Sequence, residues 1–412
     1  MMSAPAEPEP IPVAVVGGGV TGMAAALALA QGGSNVVHVI RGGGAPADLR
    51  TAALFPASVQ LLRNLCVWDP ISSSAAPLAA IRIIDDTGWV LKAPETVFWA
   101  HELHQPALAW NIANSTLGEA LADAVARCSR IRQIVTRETP GYRVAAGGIE
   151  IATTEGAQLV ARLVVAADGR SSPLRQFAGI AAHQTTHDQT ALVTSFRHSR
   201  PHRDISNELH RDAGPLTTVP MPGDRSSLVW VERPREAARL AALDGEAFRV
   251  LLQDRLQGLL GRIDDISSRM TFALSTLEVD QFAKGRIALV GEAAHVLPPI
   301  GAQGLNLGLR DVGELVEAVG PALAAGADPG DAKTLDLYDR RRRLDATSRG
   351  RGVSLLNSSL ASGALPLQLA RGVGLHIIGR IGPLKRAVMR GGSNGLTSLP
   401  SLMRQDTRGS TE

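Results

Sequence analysis

Three glycines near the start of the chain have the spacing that binding of a dinucleotide pyrophosphate requires. Gly17, Gly19 and Gly22 follow a short apolar run, with Val20 and Thr21 between the last two. The first glycine permits a tight turn, the second lets a phosphate approach the backbone, and the third lets a helix pack on the preceding strand. The N–H groups and dipole of the helix N-terminus favour the anion. The motif predicts a dinucleotide site over these five residues, although a glycine-rich turn that binds nothing has the same pattern.

The segments around this turn predict the β-α-β unit that positions it. Ile11 to Val16 has the composition of a buried strand, the following MAAALALAQ stretch predicts a helix, and Val36 to Ile40 predicts a second strand. An acidic residue that binds a ribose hydroxyl usually ends this second strand. Here the position is Arg41, which could instead pair with the 2′-phosphate of NADP. Arg41 is therefore both a candidate cofactor contact and a departure that leaves the adenosine end open.

Two later segments add strand ends with polar residues. Gln158 to Ala167 predicts a buried strand that ends in Asp168-Gly169. Arg286 to Val290 predicts another, which leads into GEAAHVLPPIGAQGLNLG, residues Gly291 to Gly308, and then a helix. The glycine turn, the Asp-Gly pair and this third segment, in that order, resemble the class A flavoprotein monooxygenases, the group that includes para-hydroxybenzoate hydroxylase. The resemblance implies FAD rather than NADP as the bound dinucleotide.

Composition argues against several other classes of protein. The 412 residues are 45% hydrophobic and 20% charged, as in a large globular protein, and we expect two folding units. The two cysteines, Cys66 and Cys128, lack ligand spacing, so no metal site and no disulfide framework are predicted. A net charge of +3 and 3% aromatic residues argue against nucleic acid as a partner. The start of the chain lacks the pattern of a signal peptide, and no later stretch is long and apolar enough to span a membrane. Together these observations predict a cytoplasmic protein.

The fold class predicted is α/β: a Rossmann-type FAD-binding domain with an inserted β-sheet domain for the substrate and a C-terminal helical segment. The FAD-binding domain is expected to be discontinuous, because runs of β-rich sequence interrupt it between about Thr190 and Met270. The remaining helix of note, Asn114 to Arg127, falls in the FAD-binding part. The predicted boundaries place residues 11–84, 101–181 and 272–341 in the FAD-binding domain, 85–100 and 182–271 in the substrate domain, and 342–400 in the C-terminal segment.

Within the class A group the sequence most resembles the ubiquinone-biosynthesis hydroxylases, from about Val13 to Gly391. The matching stretches are DLRTAALFPASVQLLRNLCVWD, GPLTTVPMPGDRSSLVWV, IGAQGLNLGLRDV and the C-terminal LLNSSLASGALPLQLARGVGLHIIGRIGPLKRAVMR. The resemblance implies a C4a-hydroperoxyflavin as oxidant and hydroxylation of the ring of a polyprenylated phenol or quinol. It also implies O2 and an external reductant. No second GxGxxG motif occurs, so NAD(P)H would visit transiently or a protein would donate the electrons.

The resemblance also assigns roles by motif position. Arg50 would reach the FAD phosphates, Asn114 would be a polar FAD contact, Asp168 would help to order the cofactor, and Glu292 would bind ribityl hydroxyls. The loop against the flavin ring would comprise Pro299, Gly301, Gln303, Gly304, Leu305 and Asn306, with Pro299 and Gly301 as the catalytic positions. Glu292 replaces the commoner aspartate, and Leu297-Pro298 replaces a His-Pro pair of many relatives.

Three residues invite functional roles that their positions do not favour. His295 lies beside the flavin loop and titrates near neutrality, yet a histidine at a strand–helix junction is more often structural. Trp230 and Met221 fall on strands of the inserted sheet, where a core position is the simpler interpretation. We therefore name no substrate-specific base from the sequence.

The C-terminal part is basic, with Arg340 to Arg343, Arg349, Arg351, Arg371, Arg380, Lys385, Arg386 and Arg390, and with apolar residues between them. Such a segment can lie on an anionic membrane surface, or it can be a solvated helix that packs on the FAD domain. A polyprenylated substrate favours the first, which predicts a peripheral protein on the inner face of the membrane.

Three functions remain open from the sequence. The first is the ubiquinone-pathway hydroxylase, in contact with other quinone-biosynthesis proteins. The second is a hydroxylase of small soluble phenols with the same fold. The third is a weakened flavoprotein-like scaffold subunit, which the departures at Arg41 and Glu292 would explain.

Overall fold

The computed structural model describes residues 10–43, 48–87, 94–299, 301–345, 382–394 and 398–405. The strands are β1 Ile11–Val16, β2 Val36–Arg41, β3 Thr51–Leu54, β4 Ala76–Leu78, β5 Ala80–Asp85, β6 Thr96–Trp99, β7 Ala109–Ala113, β8 Ile131–Thr136, β9 Gly141–Ala145, β10 Gly148–Ala152, β11 Gln158–Ala166, β12 Ala182–His198, β13 Ile205–His210, β14 Leu216–Met221, β15 Arg225–Glu232, β16 Ile263–Asp264, β17 Met270–Val279, β18 Ala283–Lys284, β19 Ile287–Leu289 and β20 His295–Val296.

The helices are α1 Val20–Gln31, α2 Pro56–Asn64, α3 Trp68–Ile71, α4 Asn114–Arg127, α5 Pro173–Phe177, α6 Pro234–Ala242, α7 Gly245–Arg255, α8 Gln303–Ala324, α9 over the described residues 332–345, and α10 Gly382–Asn394. Short 3-10 turns cover Ala100–Leu103, Gly291–Ala293 and Ser401–Met403, among others. Strands and helices alternate through most of the chain, which confirms the predicted α/β class.

An eight-stranded sheet carries the glycine turn. Its main path runs β18-β19-β11-β1-β2-β8, with β10 and β9 joined to β11, and β1 pairs in parallel with both β2 and β11. Helix α1 crosses from β1 to β2, and its alanines are almost all buried, which lets it lie close to the sheet. The β-α-β unit predicted from the glycine motif is confirmed.

A nine-stranded, largely antiparallel sheet forms the second layer. Its path runs β20-β17-β12-β15-β14-β13-β5-β6, with β16 on β12, and among the described strands only β5 and β13 pair in parallel. Helices α6 and α7 cover its outer side, where Phe248 and Leu252 pack with Trp230 and Leu228 in one apolar core. Trp230 is thus a core residue, as predicted. The two helices were missed because this stretch was interpreted as β-rich throughout, despite the N-cap that Asp244 supplies to α7.

The strands of this sheet extend past the predicted domain boundaries. Strand β5, at Ala80–Asp85, pairs with β13, so the sheet already begins before residue 85. Strand β17 continues to Val279, beyond the boundary at 271/272, and β20 pairs with it. Hydrophobic alternation does not show where a strand changes sheets, because both sheets need the same pattern. The division into domains stays a prediction.

A small third sheet, β3-β7-β4, lies between the two large ones. Asn111 of β7 donates a hydrogen bond from Nδ2 to the Pro220 carbonyl at 2.8 Å. Thr51 Oγ1 of β3 lies 2.9 Å from Ser227 Oγ of β15. Since both contacts reach the nine-stranded sheet, the third sheet fixes how the FAD-binding half faces it.

The basic run 340–343 packs only in part against the protein, since Arg340 and Arg343 are exposed. Arg342 is fully buried, Arg341 pairs with Glu314, and Arg343 pairs with Asp339 at 2.8 Å. Arg342 therefore does not belong to a membrane-facing surface, and a membrane contact of the other arginines stays a prediction. Residues 346–381, with most of the predicted membrane segment, lie outside the described residues. No helix among the described residues is long and apolar enough to cross a membrane.

Candidate FAD site

In the glycine turn after β1, two glycines are tightly packed and one faces open space, as the motif predicts. Gly17 has a φ of +128°, and a Cβ there would lie 2.0 Å from the Ala167 carbonyl oxygen. A Cβ on Gly22 would lie 2.1 Å from the Gly17 carbonyl oxygen. A Cβ on Gly19 would meet nothing within 4 Å. Two glycines are thus required by packing, whereas Gly19 leaves open space beside the backbone, as approach of a phosphate requires.

Helix α1 begins without a capping side chain. Gly19 is its N-cap residue and has no side chain to accept from the first-turn N–H groups. Behind the turn, buried His38 lies with Nε2 2.9 Å from the Gly17 carbonyl and Nδ1 3.4 Å from Gln133 Nε2. Burial lowers the pKa of His38, so the neutral ring donates Nε2–H to Gly17. The turn is held from behind while its front N–H groups stay available to an anion.

Asp168, at the end of β11, has one carboxylate oxygen in use and one without a protein partner. Oδ2 accepts a hydrogen bond from the Leu174 N–H at 3.1 Å. Oδ1 is buried and has no hydrogen-bond partner among the described residues. Burial raises the pKa of this carboxyl, against hydrogen bonding that includes the Ser172 hydroxyl. A buried, unsatisfied oxygen beside the glycine turn fits a ligand that brings a hydroxyl.

Asp48 brings two predicted contacts, Arg50 and Asn114, together. It pairs with Arg50 at 2.8 Å and accepts from Asn114 Nδ2 at 2.9 Å. Although burial opposes it, these hydrogen bonds hold the pKa of Asp48 below its usual value. Asn114 Oδ1 is buried and has no partner among the described residues, and the Arg50 guanidinium lies 5.1 Å from the centre of the Phe272 ring. Arg50 and Asn114 are therefore oriented as a unit that retains one open acceptor.

The segment from Gly291 packs directly on the glycine turn. Gly291 has a φ of +62°, and a Cβ there would lie 3.0 Å from Thr21 Oγ1. A Cβ on Gly308, in α8, would lie 2.9 Å from the same oxygen. Glu292 is exposed, and its charge adds to that of Asp48 in raising the pKa of Arg50. The structure thus brings together Thr21, Arg50 and Glu292, which the sequence places far apart.

The loop before α8 ends in two left-handed residues. Gly301 has a φ of +66° and Ala302 a φ of +53°, and Ala302 provides no capping side chain to α8. Pro299 is exposed. Gln303, Gly304 and Leu305 begin the helix, and no side-chain hydrogen bond caps its first turn among the described residues. Ile300 lies outside the described residues.

Asn306 ties this loop to the third sheet. Its Oδ1 accepts from the Phe55 N–H at 2.8 Å, and its Nδ2 donates to the Ala53 and Ala302 carbonyls at 2.8 and 2.7 Å. Both donors of the amide are already used within the protein. A contact between Asn306 and a flavin stays a prediction, and the side chain has a clear structural role.

Arg41 is the last residue of β2, where it pairs with Thr136 of β8, and its side chain is exposed. This is the strand end at which the fingerprint places its ribose contact. The position predicted from the sequence is correct, and a contact between Arg41 and the cofactor stays a prediction.

His295 lies in a buried ionic network beneath the loop. Its Nε2 is 2.6 Å from Asp311 Oδ2, which also accepts from the Gly291 N–H at 2.8 Å. Asp311 Oδ1 accepts from Arg342 Nε at 2.7 Å. Although burial opposes it, His295 and Arg342 hold the pKa of Asp311 below its usual value. Because the His295 side chain is only 4% exposed, this geometry supports a structural role for it.

Sequence reasoning missed three residues of this site: Asp48, His38 and Asp311. Asp48 and Asp311 stand inside the stretches that match relatives, so that match was the available signal. No periodic pattern points to His38, because a histidine in a buried strand gives no sign of the carbonyl it meets. Two unsatisfied buried oxygens, two uncapped helix N-termini and an open glycine together fit FAD.

Comparison with known proteins supports this assignment. A family model described as FAD binding domain matches residues 10–349. Ubiquinone hydroxylase UbiL of Rhodospirillum rubrum is 34% identical over 384 residues, which cover 92% of this chain and 88% of the relative. The 3-demethoxyubiquinol 3-hydroxylase of Escherichia coli is 29% identical over 393 residues, 93% of this chain and 98% of the relative.

Solved structures show the same fold. The p-nitrophenol 4-monooxygenase PnpA of Pseudomonas putida has a TM-score of 0.74 at 20% identity, over 94% of this chain and 99% of that one. HpxO of Klebsiella pneumoniae, complexed with FAD and uric acid, has a TM-score of 0.73 at 18% identity, over 94% and 97%. The chain binds FAD, is a hydroxylating monooxygenase, and belongs to the ubiquinone-biosynthesis hydroxylase family of FAD-dependent monooxygenases.

Proposed function

We propose that this protein hydroxylates the aromatic ring of a polyprenylated phenol or quinol in ubiquinone biosynthesis. The observation that carries the proposal is the identity to the Rhodospirillum rubrum ubiquinone hydroxylase, which extends over nearly the whole of both chains. The likeness to the p-nitrophenol and urate-bound structures supports the fold alone, so it does not favour a small soluble substrate.

Bound FAD would supply the oxidant, a C4a-hydroperoxyflavin formed from O2 after reduction by NAD(P)H or a protein donor. The chain's own residues bind and orient the cofactor. The open backbone at Gly19 holds the pyrophosphate, and the unsatisfied oxygens of Asp168 and Asn114 accept hydrogen bonds from its hydroxyls. Glu292, whose charge acts on Arg50, would reach the ribityl chain. The loop with Pro299 and Gly301 keeps water from the reacting face.

The substrate would bind between the FAD-binding half and the nine-stranded sheet. Side chains alternate along a strand, so Ile81, Ile83, Phe98 and Val229 share the face that carries Ser227, whose hydroxyl meets Thr51. These four apolar side chains are half-buried. An apolar, partly open face suits a ring with a prenyl tail.

Helix α10 lies at the end of this face and supports a membrane contact. Lys385 pairs with Glu102 at 2.6 Å and lies 5.5 Å from the centre of the Phe98 ring. Leu384 and Val388 are 40% and 44% exposed on the same helix. We propose that these apolar residues, with the basic Arg386, contact an anionic membrane surface and bring the cleft to a membrane-resident substrate. The protein would then be peripheral on the cytoplasmic face and close to other quinone-biosynthesis enzymes.

Coupled oxygen consumption tests the reaction. The FAD-loaded protein, with a reductant system, is given a detergent-solubilised prenylated phenol or a hydroxybenzoate of matched ring pattern. We expect O2 uptake matched by hydroxylated product with the prenylated phenol alone. Product from the hydroxybenzoate alone would support the soluble-phenol function. A protein that takes up no FAD would support the scaffold function.

Vesicle sedimentation tests the membrane contact. Leu384→Ser with Arg386→Glu should lower binding to anionic vesicles more than to neutral ones, and salt should reduce the difference. Equal binding of the parent to both vesicle types, or none to either, would contradict the membrane proposal and leave the hydroxylase proposal intact.

A further inference from the structure

Two ionisable side chains of β13 lie on the sheet face that is turned toward the FAD-binding half. Leu209 belongs to the outer apolar core with Trp230. Successive side chains of a strand point to opposite faces, so Glu208 and His210 lie on the inner face. Glu208 pairs with Thr217, and Thr217 pairs with Val229 on the face of the sheet that also carries Ser227. The contact of Ser227 with Thr51 shows which way this face is turned.

The two side chains form a pair that is largely removed from water. His210 Nε2 lies 3.5 Å from Glu208 Oε2, and the side chains are 11% and 19% exposed. Ile83 of β5 is the direct neighbour of Glu208, and Asp85 is that of His210. Asp85 accepts hydrogen bonds from the Thr87 N–H and hydroxyl at 3.2 and 2.6 Å.

Four other charged residues near this face form two ion pairs. Lys385 and Glu102 are paired beside Phe98, and Arg225, at the far end of β15, pairs with Asp265. The network that contains His295 and Asp311 starts at β20, at the opposite edge of the nine-stranded sheet from β5 and β6. Among the described residues the Glu208–His210 pair makes no further ion pair, and its neighbours on this face are Ile83, Asp85 and Thr217.

We infer that His210 is the base that accepts the proton of the substrate's ring hydroxyl and that Glu208 positions it. The inference rests on the proposed function for the nature of the substrate. Glu208 lies on the Nε2 side of the ring, at 3.5 Å, which leaves Nδ1 to accept a proton. The phenolic O–H bond breaks, its proton moves to Nδ1, and its electron pair stays on oxygen as a phenolate. Glu208 then stabilises the imidazolium, and the electron-rich ring is prepared for attack on an electrophilic oxygen.

The ionisation of a bound phenol tests this role without turnover. Oxidised, FAD-loaded protein is mixed with a short-chain prenylated phenol, and ultraviolet difference spectra give the pH at which the bound phenol ionises. In the parent this midpoint should fall roughly one pH unit or more below that of the free phenol. His210→Gln should return the midpoint to the free value. Glu208→Gln should shift it in the same direction by less, because the His210 ring stays in place and only the charge beside it is lost.

A second histidine–carboxylate pair supplies the control. His183 and Asp280 are 2.8 Å apart at the exposed end of β12, so His183→Gln should leave the midpoint unchanged. FAD content and the thermal midpoint report folding, and Glu208→Gln decides the test if His210→Gln does not fold. In turnover, His210→Gln should lower the rate of hydroxylation roughly 100-fold.

The outcomes separate this inference from the proposed function. A His210→Gln variant that binds the phenol and ionises it at the parent's pH would overturn the role of His210 and leave the proposed function standing. A parent protein that binds no prenylated phenol would overturn both.

Discussion

Two buried aspartates of the FAD-binding half have opposite environments. Asp311 has both carboxylate oxygens paired, with Arg342 on one and with His295 and the Gly291 N–H on the other. Asp168 has one oxygen bonded to a backbone N–H and the other without a partner among the described residues. The two environments move the carboxyl pKa in opposite directions, down for Asp311 and up for Asp168.

This difference distinguishes a carboxylate that supports the fold from one that binds the cofactor. A carboxylate whose partners are all protein groups holds elements together, here α8, α9 and the turn at Gly291. A buried carboxylate oxygen without a partner costs free energy unless a ligand satisfies it. Asp168 therefore has an oxygen that FAD would satisfy, whereas Asp311 supports the elements that surround the FAD site.

Asp311→Asn should have the largest effect on stability. The substitution removes the charge of one of the two carboxylates that pair with the buried Arg342, the other being Asp345, which costs roughly 3–5 kcal/mol of unfolding free energy. Chemical unfolding of the FAD-free protein measures the loss. The exposed Asp123→Asn, on α4, should change stability by less than about 0.5 kcal/mol. A near-neutral Asp311→Asn would show that the network carries no stability.

Gly19→Val should have the largest effect on FAD. The new side chain occupies the space where the pyrophosphate meets the backbone, and loss of two charge-assisted hydrogen bonds weakens binding roughly 100-fold. The purified variant should be colourless. Gly118, in α4, also has open space around it, so Gly118→Val should stay yellow. If Gly19→Val retains full FAD, the site is misplaced.

Asp168→Ala should weaken FAD binding about tenfold, because one hydrogen bond to the cofactor is lost. In contrast to Asp311→Asn, the FAD-free protein should keep its stability or gain some, because a buried carboxylate is removed. Titration of the apoprotein with FAD, followed by fluorescence, gives the dissociation constant. An unchanged dissociation constant for FAD, combined with a large loss of stability, would show that Asp168 has a structural role like that of Asp311.

Gly301→Val and Pro299→Ala should uncouple the reaction while most FAD is retained. Bulk or flexibility in this loop admits water beside the flavin, so more O2 should be released as H2O2 and less should enter product. The ratio of H2O2 to product should rise several-fold. Gly326, at the other end of α8, also has a φ of +66° and open surroundings, so Gly326→Val is the control. Loss of FAD as the main defect would make the loop a cofactor clamp instead.

The smallest expected effect is on pH dependence. The folded pKa of Asp311 lies below its unfolded value of 3.8, so its stabilisation is complete above that pH and is lost as pH falls through the folded pKa. The gap in stability between the parent and Asp311→Asn should therefore shrink below about pH 4. Asp168 has a raised pKa, so its cost at neutral pH should disappear as pH falls toward 3.8. Chemical unfolding of Asp168→Asn over the same pH range checks this, because the parent should gain stability relative to this variant as the pH falls.

Much of the FAD-binding half was predictable because several local signals coincide there. The glycine spacing, the apolar strands and the Asp-Gly strand end each specify backbone positions, and the structure has β1, α1, β2 and β11 where the sequence predicts them. Pairings between distant residues were not predictable. Nothing in the sequence shows that Asp48 orients Arg50 and Asn114, that Asp311 lies against His295, or that β5 joins β13. These pairings follow from tertiary packing alone.

The most direct test of the central claim follows the oxygen atom. FAD-loaded protein, a reductant system and a prenylated phenol are incubated under O2 that carries a heavy isotope, and the product is analysed by mass spectrometry. The account predicts a ring-hydroxylated product in which the added oxygen comes from O2. A product whose oxygen comes from water, or consumption of reductant that yields only H2O2, would contradict it.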